Sequence, residues 1–105
     1  MDRMEKIRKE IIEGGLRLVK EGLVARTWGN ISIRVDDTYM LITPSGRTYE
    51  KLTGDDIVLV NYHTSKHEGE IKPSSEKELH CEIYRTRSKI NAVIHTHQMN
   101  DGINF

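Results

Sequence analysis

The chain has 105 residues, the size of one small domain, with 16 basic and 16 acidic side chains and a formal charge of zero. Charge spread evenly along the length leaves no basic stripe for nucleic acid, and no apolar run approaches the ~20 residues of a membrane span, so neither partner is expected. The charged start, Met1-Asp-Arg-Met-Glu-Lys6, lacks the apolar core of a signal peptide, and the single cysteine, Cys81, excludes an internal disulfide; a soluble cytoplasmic protein is expected.

Met4, Ile7, Ile11, Leu18 and Val19 recur at three-to-four spacing and predict an amphipathic helix over residues 2–21, stopped in a left-handed turn at Gly22. Gly14 and Gly15 weaken its interior by roughly 1 kcal/mol each relative to alanine, which close packing would explain. Residues 31–35 alternate apolar and polar as a half-buried strand does, Asp36-Asp37 makes a turn, and residues 39–42 return as a second strand. Thr43-Pro-Ser-Gly46 is a loop in which proline fixes φ and glycine permits close backbone approach.

Residues 57–60 are apolar throughout and predict a strand covered on both faces. Residues 61–70, with His63 and His67, read as a solvated loop ended by Pro73. Ser75 with Glu78 reads as a capping box opening a helix to about Arg87, with Leu79, Ile83 and Tyr84 as its buried stripe. Residues 90–97 predict a last strand, with Val93, His95 and His97 on one face and Ala92, Ile94 and Thr96 on the other. The order helix, hairpin, strand, helix, strand implies a mixed α/β domain with a largely antiparallel sheet flanked by helices.

Three features carry candidate chemistry. His95-Thr-His97 places two imidazoles on one strand face with Cβ atoms roughly 6–7 Å apart, close enough to share an ion. Five histidines in this length produce about 0.23 such pairs by chance, so spacing alone leaves a plain surface pair open. Lys72-Pro-Ser-Ser-Glu76 sets two hydroxyls beside the free N–H groups of a helix start, an anion site as readily as an N-cap. Glu76 also suits the helix dipole there without any further role. Trp28-Gly-Asn30 and Thr43-Pro-Ser-Gly46 are either ordinary turns or, with Ser74-Ser75, three donor-rich loops suited to one phosphate.

In order and spacing, Gly29-Asn30, Thr43-Pro-Ser-Gly46, Lys72-Pro-Ser-Ser-Glu76 and His95-Thr-His97 resemble the class II aldolase and adducin-head family, and within it the L-fuculose-phosphate aldolases. Gly22-Leu-Val-Ala25, Leu79-His80 and Ile90-Asn-Ala-Val-Ile94 extend the likeness over residues 4–100. The resemblance implies the N-terminal part of the family's α/β/α fold and reversible retro-aldol cleavage of a ketose 1-phosphate, such as L-fuculose 1-phosphate, to dihydroxyacetone phosphate and an aldehyde.

It implies that Gly29, Asn30, Ser45, Gly46, Ser74 and Ser75 hold the substrate phosphate. Glu76 would be the catalytic acid/base and a zinc ligand when substrate is absent, with His95 and His97 as zinc ligands, one Zn2+ per subunit. His80 is not a ligand in that family and reads as a buried histidine. Family relatives with 4-epimerase activity on L-ribulose 5-phosphate generally carry aspartate where Glu76 stands, so glutamate favours an aldolase. That epimerase, a methylthioribulose-phosphate dehydratase and a metal-free adducin-like binding module are the alternatives.

The family also implies a homotetramer, a length roughly twice this one, and a third zinc histidine from the second half, whereas no histidine follows His97 here. Residues 101–105 depart from the family's pattern and read as a premature end, from which weak zinc binding, little activity alone and uncovered apolar surface are expected.

Overall fold

A computed structural model describes residues 2–22, 29–46 and 49–96. Trp28 and His97, both named above, lie outside the described residues. The predicted order of elements holds, with one addition. Helix α1 spans Arg3–Lys20, β1 Gly29–Arg34, β2 Tyr39–Ile42, β3 Val58–Asn61, β4 Lys66–His67, α2 Lys77–Thr86 and β5 Ala92–Thr96. Short 3-10 turns at Tyr49–Lys51 and Gly54–Asp56 connect β2 to β3. The added element is β4, a two-residue strand in the segment read as a loop; it pairs Val60 with His67 and Asn61 with Lys66.

All four strand pairings are antiparallel, in the order β4-β3-β2-β1-β5. Because successive side chains point to opposite faces, the sheet offers two faces, and one helix covers each. On one, Ile7 and Ile11 of α1 meet Ile31 and Leu41 together with Val35, Leu52 and Ile57. On the other, Cys81 and Tyr84 of α2 meet Met40, Ile42, Val58, Val60 and Tyr62. The central strand is therefore sealed on both sides, and Met40, Leu41 and Ile42 are fully buried.

The helix ends follow local chemistry. The Asp2 carboxylate accepts the Glu5 N–H at 2.9 Å and caps α1, and Gly22 at φ +75° closes it, as expected. Gly15 is buried, but a Cβ on Gly14 would meet nothing within 4 Å, so close packing does not explain Gly14. The hairpin turn is held by Asp36, whose Oδ1 accepts from the N–H groups of Thr38 and Tyr39 at 2.9 and 2.8 Å.

Two expectations for α2 are corrected. The Ser75–Glu78 capping box does not form: Glu76 is the N-cap residue without a side-chain cap, and Glu78 instead accepts from the Ser65 hydroxyl at 2.9 Å. The buried stripe is His80, Cys81 and Tyr84, while Leu79 faces outward at 42% exposure. The reason is that the sheet face beneath α2 is not wholly apolar.

That face carries Ser32 and Arg34, which the alternation of β1 had assigned to a solvated side. Ser32 is fully buried. Arg34 lies against Tyr62 and Tyr84, its carbon Cζ 5.2 and 4.9 Å from their ring centroids. Its guanidinium donates to the Tyr62 hydroxyl at 2.7 Å and to the carbonyls of Tyr84, Arg87 and Ile90. Those carbonyls belong to the end of α2 and the chain leaving it, so one side chain supplies donors that a helix C-terminus lacks.

Candidate active site

The first residues of β1, the last of β5, the loop after β2 and the start of α2 gather at one end of the sheet. Antiparallel pairing requires the first two: Gly29 lies opposite Thr96, and Asn30 opposite His95. Thr43 joins the third by accepting the Ile31 N–H on its hydroxyl at 3.3 Å and donating its own N–H to the Ile31 carbonyl at 3.0 Å.

The fourth is held by a short antiparallel bridge between Pro44 and Pro73. Around it the Ser74 N–H donates to the Thr43 carbonyl at 2.9 Å, and the Ser45 N–H to the Lys72 carbonyl at 3.0 Å. Proline has no N–H to donate, so the flanking residues make these bonds. Thr43-Pro-Ser-Gly46 and Lys72-Pro-Ser-Ser-Glu76, distant in sequence, thus run side by side.

Within this cluster Asn30 and Ser74 are buried, whereas Ser45, Gly46 and Ser75 are exposed. Gly46 adopts φ +71°, where a side chain would be strained. The Ser74 hydroxyl accepts the Glu76 N–H at 3.1 Å. It is therefore Ser74, not Ser75, that organises the approach to α2, and the hydroxyl of Ser75 is left at the surface. Gly29, Asn30, Ser45, Gly46, Ser74 and Ser75 accordingly belong to neighbouring segments of one rim.

Glu76 and His95 meet beside that rim, with Glu76 Oε1 3.7 Å from His95 Nδ1. About a third of each side chain stays open to solvent, at 37% and 34% exposure. One carboxylate oxygen and one imidazole nitrogen are donors that zinc accepts. Two ligands of a tetrahedral zinc at about 2.0–2.1 Å lie about 3.3 Å apart, so a small inward movement of either side chain would let both reach one ion. The pair fits a metal, though among the described residues no group of three or more histidine, cysteine, aspartate or glutamate side chains could hold one.

Beneath the rim lies a polar network that the sequence did not disclose. His80, one helical turn after Glu76, is fully buried, and both ring nitrogens are engaged. Its Nδ1 is 2.6 Å from the Ser32 hydroxyl, and its Nε2 contacts Asn30 Oδ1. The Ser32 hydroxyl is in turn 2.7 Å from the Tyr84 hydroxyl.

Burial, helped by the nearby His95, pushes His80 down to about 4, so the ring is neutral. A neutral ring has one N–H. With Nε2 donating to the Asn30 carbonyl oxygen, Nδ1 accepts from Ser32, and Ser32 accepts from Tyr84. Burial also pushes Tyr84 up to about 12, against the opposing pull of its Ser32 hydrogen bond. His80 was expected to be buried; Ser32 and Tyr84 were not expected to be its partners. The available signal was a serine in a strand whose other face is apolar, and it reads equally well as solvated.

His63 and His67 lie away from this cluster. His63 is exposed with Nε2 2.8 Å from the Asp37 carbonyl oxygen, and His67 is in β4.

A helix on each face of an antiparallel sheet is the fold that the resemblance implied. Residues 9–101 match the model of the class II aldolase and adducin N-terminal domain, and the chain belongs to that family. It is 41% identical over 95 residues to the 5-deoxy-D-ribulose 1-phosphate aldolase of Bacillus thuringiensis serovar kurstaki, covering 90% of this chain and 45% of that protein.

Among solved structures it is similar to an L-fuculose 1-phosphate aldolase, with 37% identity and a TM-score of 0.83 over 90% of this chain and 45% of the other. It is also similar to the L-fuculose-1-phosphate aldolase of Thermus thermophilus, with 33% identity and a TM-score of 0.70 over 87% and 44%. The chain spans about half the length of the relatives it matches.

Proposed function

We propose that this chain supplies the phosphate cradle, the metal-binding pair and the acid/base of a zinc-dependent aldolase acting on a ketose 1-phosphate. The observation that carries this reading is the approach of Glu76 to His95 at 3.7 Å beside the bridged Thr43–Gly46 and Lys72–Glu76 segments. The same segments carry the Ser45, Ser74 and Ser75 hydroxyls beside that carboxylate–imidazole pair, which supports an anion site next to a dication. The relatives named as 5-deoxy-D-ribulose 1-phosphate and L-fuculose 1-phosphate aldolases point to a deoxyketose 1-phosphate as the substrate class.

In this reading Gly29, Asn30, Ser45, Gly46, Ser74 and Ser75 hold the substrate's phosphate. They do so by convergent neutral donors rather than by an arginine fork. The phosphate is remote from the bond that breaks, so its grip contributes orientation. Glu76, His95 and His97 would hold Zn2+ before substrate arrives. The chemistry the ion supplies when bound is Lewis-acid stabilisation of the negative charge that cleavage leaves on the sugar oxygens. Glu76 would move the proton to or from the carbon next to the carbonyl. The relatives' greater length leaves room for further ligands and for the subunit contacts of a homotetramer, and a cytoplasmic location goes with this metabolism.

The test is hydrogen exchange between solvent and dihydroxyacetone phosphate, followed by NMR in deuterated buffer. Glu76→Gln keeps the side-chain shape and removes the base, and is expected to lower exchange at least ~100-fold at equal zinc loading, within the range that general bases contribute. Exchange at the unaltered rate rules out the acid/base role of Glu76.

A further inference from the structure

One fully buried polar group near the rim, His80, has no part in the proposed chemistry, yet both of its nitrogens are engaged. His80 and Ser32 are fully buried and Asn30 is 4% exposed. Burying a chain of four polar side chains is costly unless each finds its partner, and here each does. A leucine or methionine at position 80 would fill the space under α2 more simply. The network has a direction as well as a location. The ring N–H is given to the carbonyl oxygen of Asn30, which leaves the Asn30 NH2 group, two donors and no acceptor, for whatever binds at the rim.

An asparagine without that restraint can turn either its oxygen or its NH2 outward, and only the NH2 suits an anion. We infer that His80 is a positioning residue, which locks the Asn30 amide so that its NH2 group serves the anion site, with Ser32 and Tyr84 holding the imidazole in the required tautomer. The inference rests on the reading of Asn30 as a phosphate contact. The lock couples two elements, since Asn30 is the second residue of β1 and His80 lies one turn into α2.

The test combines phosphate binding with NMR of the full 105-residue chain. Inorganic phosphate is titrated into wild type, His80→Met, His80→Gln, Asn30→Ala and the Asn30→Ala/His80→Met pair. His80→Met is expected to weaken phosphate at least about 10-fold, the size of losing one hydrogen-bond donor to an anion. His80→Gln keeps an N–H donor and is expected within about 2-fold of wild type, a rescue that mere loss of core packing would not show. In the Asn30→Ala background, His80→Met is expected to cause no further loss. Equal loss in both backgrounds, or a glutamine variant as weak as methionine, overturns the inference.

The free protein gives a second readout that does not depend on phosphate. Nitrogen-15 shifts of the His80 ring are expected to report the Nε2–H tautomer, and side-chain scalar couplings to report a single Asn30 rotamer in wild type. Should His80→Met fail to fold, Ser32→Ala is expected to disturb both signals. A ring protonated at Nδ1, or an Asn30 side chain averaging over rotamers as a surface asparagine does, overturns the lock. If instead the tautomer and the single rotamer are found but Asn30→Ala binds phosphate as wild type does, the lock stands and the phosphate role of Asn30 falls.

Discussion

Acid should loosen this protein through His80 before it does so through most other groups, and the size of the effect follows from burial. In the unfolded chain His80 titrates near 6.5, whereas in the folded protein it is pushed down to about 4. Between those values the unfolded state binds a proton that the folded state refuses, so stability must fall as pH falls through that window. Above 6.5 the contribution is fully present, and below about 4 it is lost. The gap, at about 1.36 kcal/mol for each tenfold change in proton affinity, corresponds to about 3 kcal/mol.

That is a large share of the roughly 5–15 kcal/mol typical of a folded domain. Urea denaturation of wild type and His80→Gln at about pH 7.0 and about pH 4.5 isolates the term, because the two proteins differ only at residue 80. The stability difference between the two proteins is expected to shift by about 2–3 kcal/mol toward the glutamine variant at the lower pH. A difference independent of pH would mean that His80 is protonated without penalty and that the neutral, doubly bonded ring is wrong.

Arg34 should matter more as a helix clamp than as a charge. Arg34→Met removes the donor to the Tyr62 hydroxyl and to the carbonyls of Tyr84, Arg87 and Ile90, and is expected to cost about 3 kcal/mol by urea denaturation. Arg34→Lys is expected to recover less than half, because an ammonium cannot reproduce the planar fork. At Gly46, φ +71° makes Gly46→Val strained by about 1–2 kcal/mol, and weaker phosphate binding should accompany the lower melting temperature.

The strands could be read from the sequence because turns and apolar runs mark them locally. The Asp36-Asp37 turn separates two short runs, and the glycine and proline loops bound the rest. Which side of a strand faces water was not legible in the same way. Alternation in β1 separates Ile31 and Ile33 from Ser32 and Arg34 correctly, but it cannot tell a solvated polar face from one that a helix covers. His80, Cys81 and Tyr84 supply that cover, and they make sense as a buried stripe only once Ser32 and Arg34 lie beneath them.

The capping box failed for a related reason. Ser75 and Glu78 have the right spacing, yet the Ser65 hydroxyl in the preceding loop takes the Glu78 carboxylate for itself. The meeting of Glu76 with His95 is a tertiary fact, between a helix start and a strand 19 residues later, and only the family resemblance foreshadowed it. Strand β4 escaped notice because two residues carry no periodicity.

The proposed chemistry depends on a dication site at Glu76 and His95, and zinc stoichiometry tests that site most directly. Purified protein dialysed against a small excess of Zn2+ and analysed by atomic emission is expected to retain up to one zinc per chain. His95→Ala and Glu76→Ala, each still folded by circular dichroism, are expected to retain less than a tenth as much as wild type. Equal zinc in wild type and both variants would place any bound metal elsewhere and contradict the site.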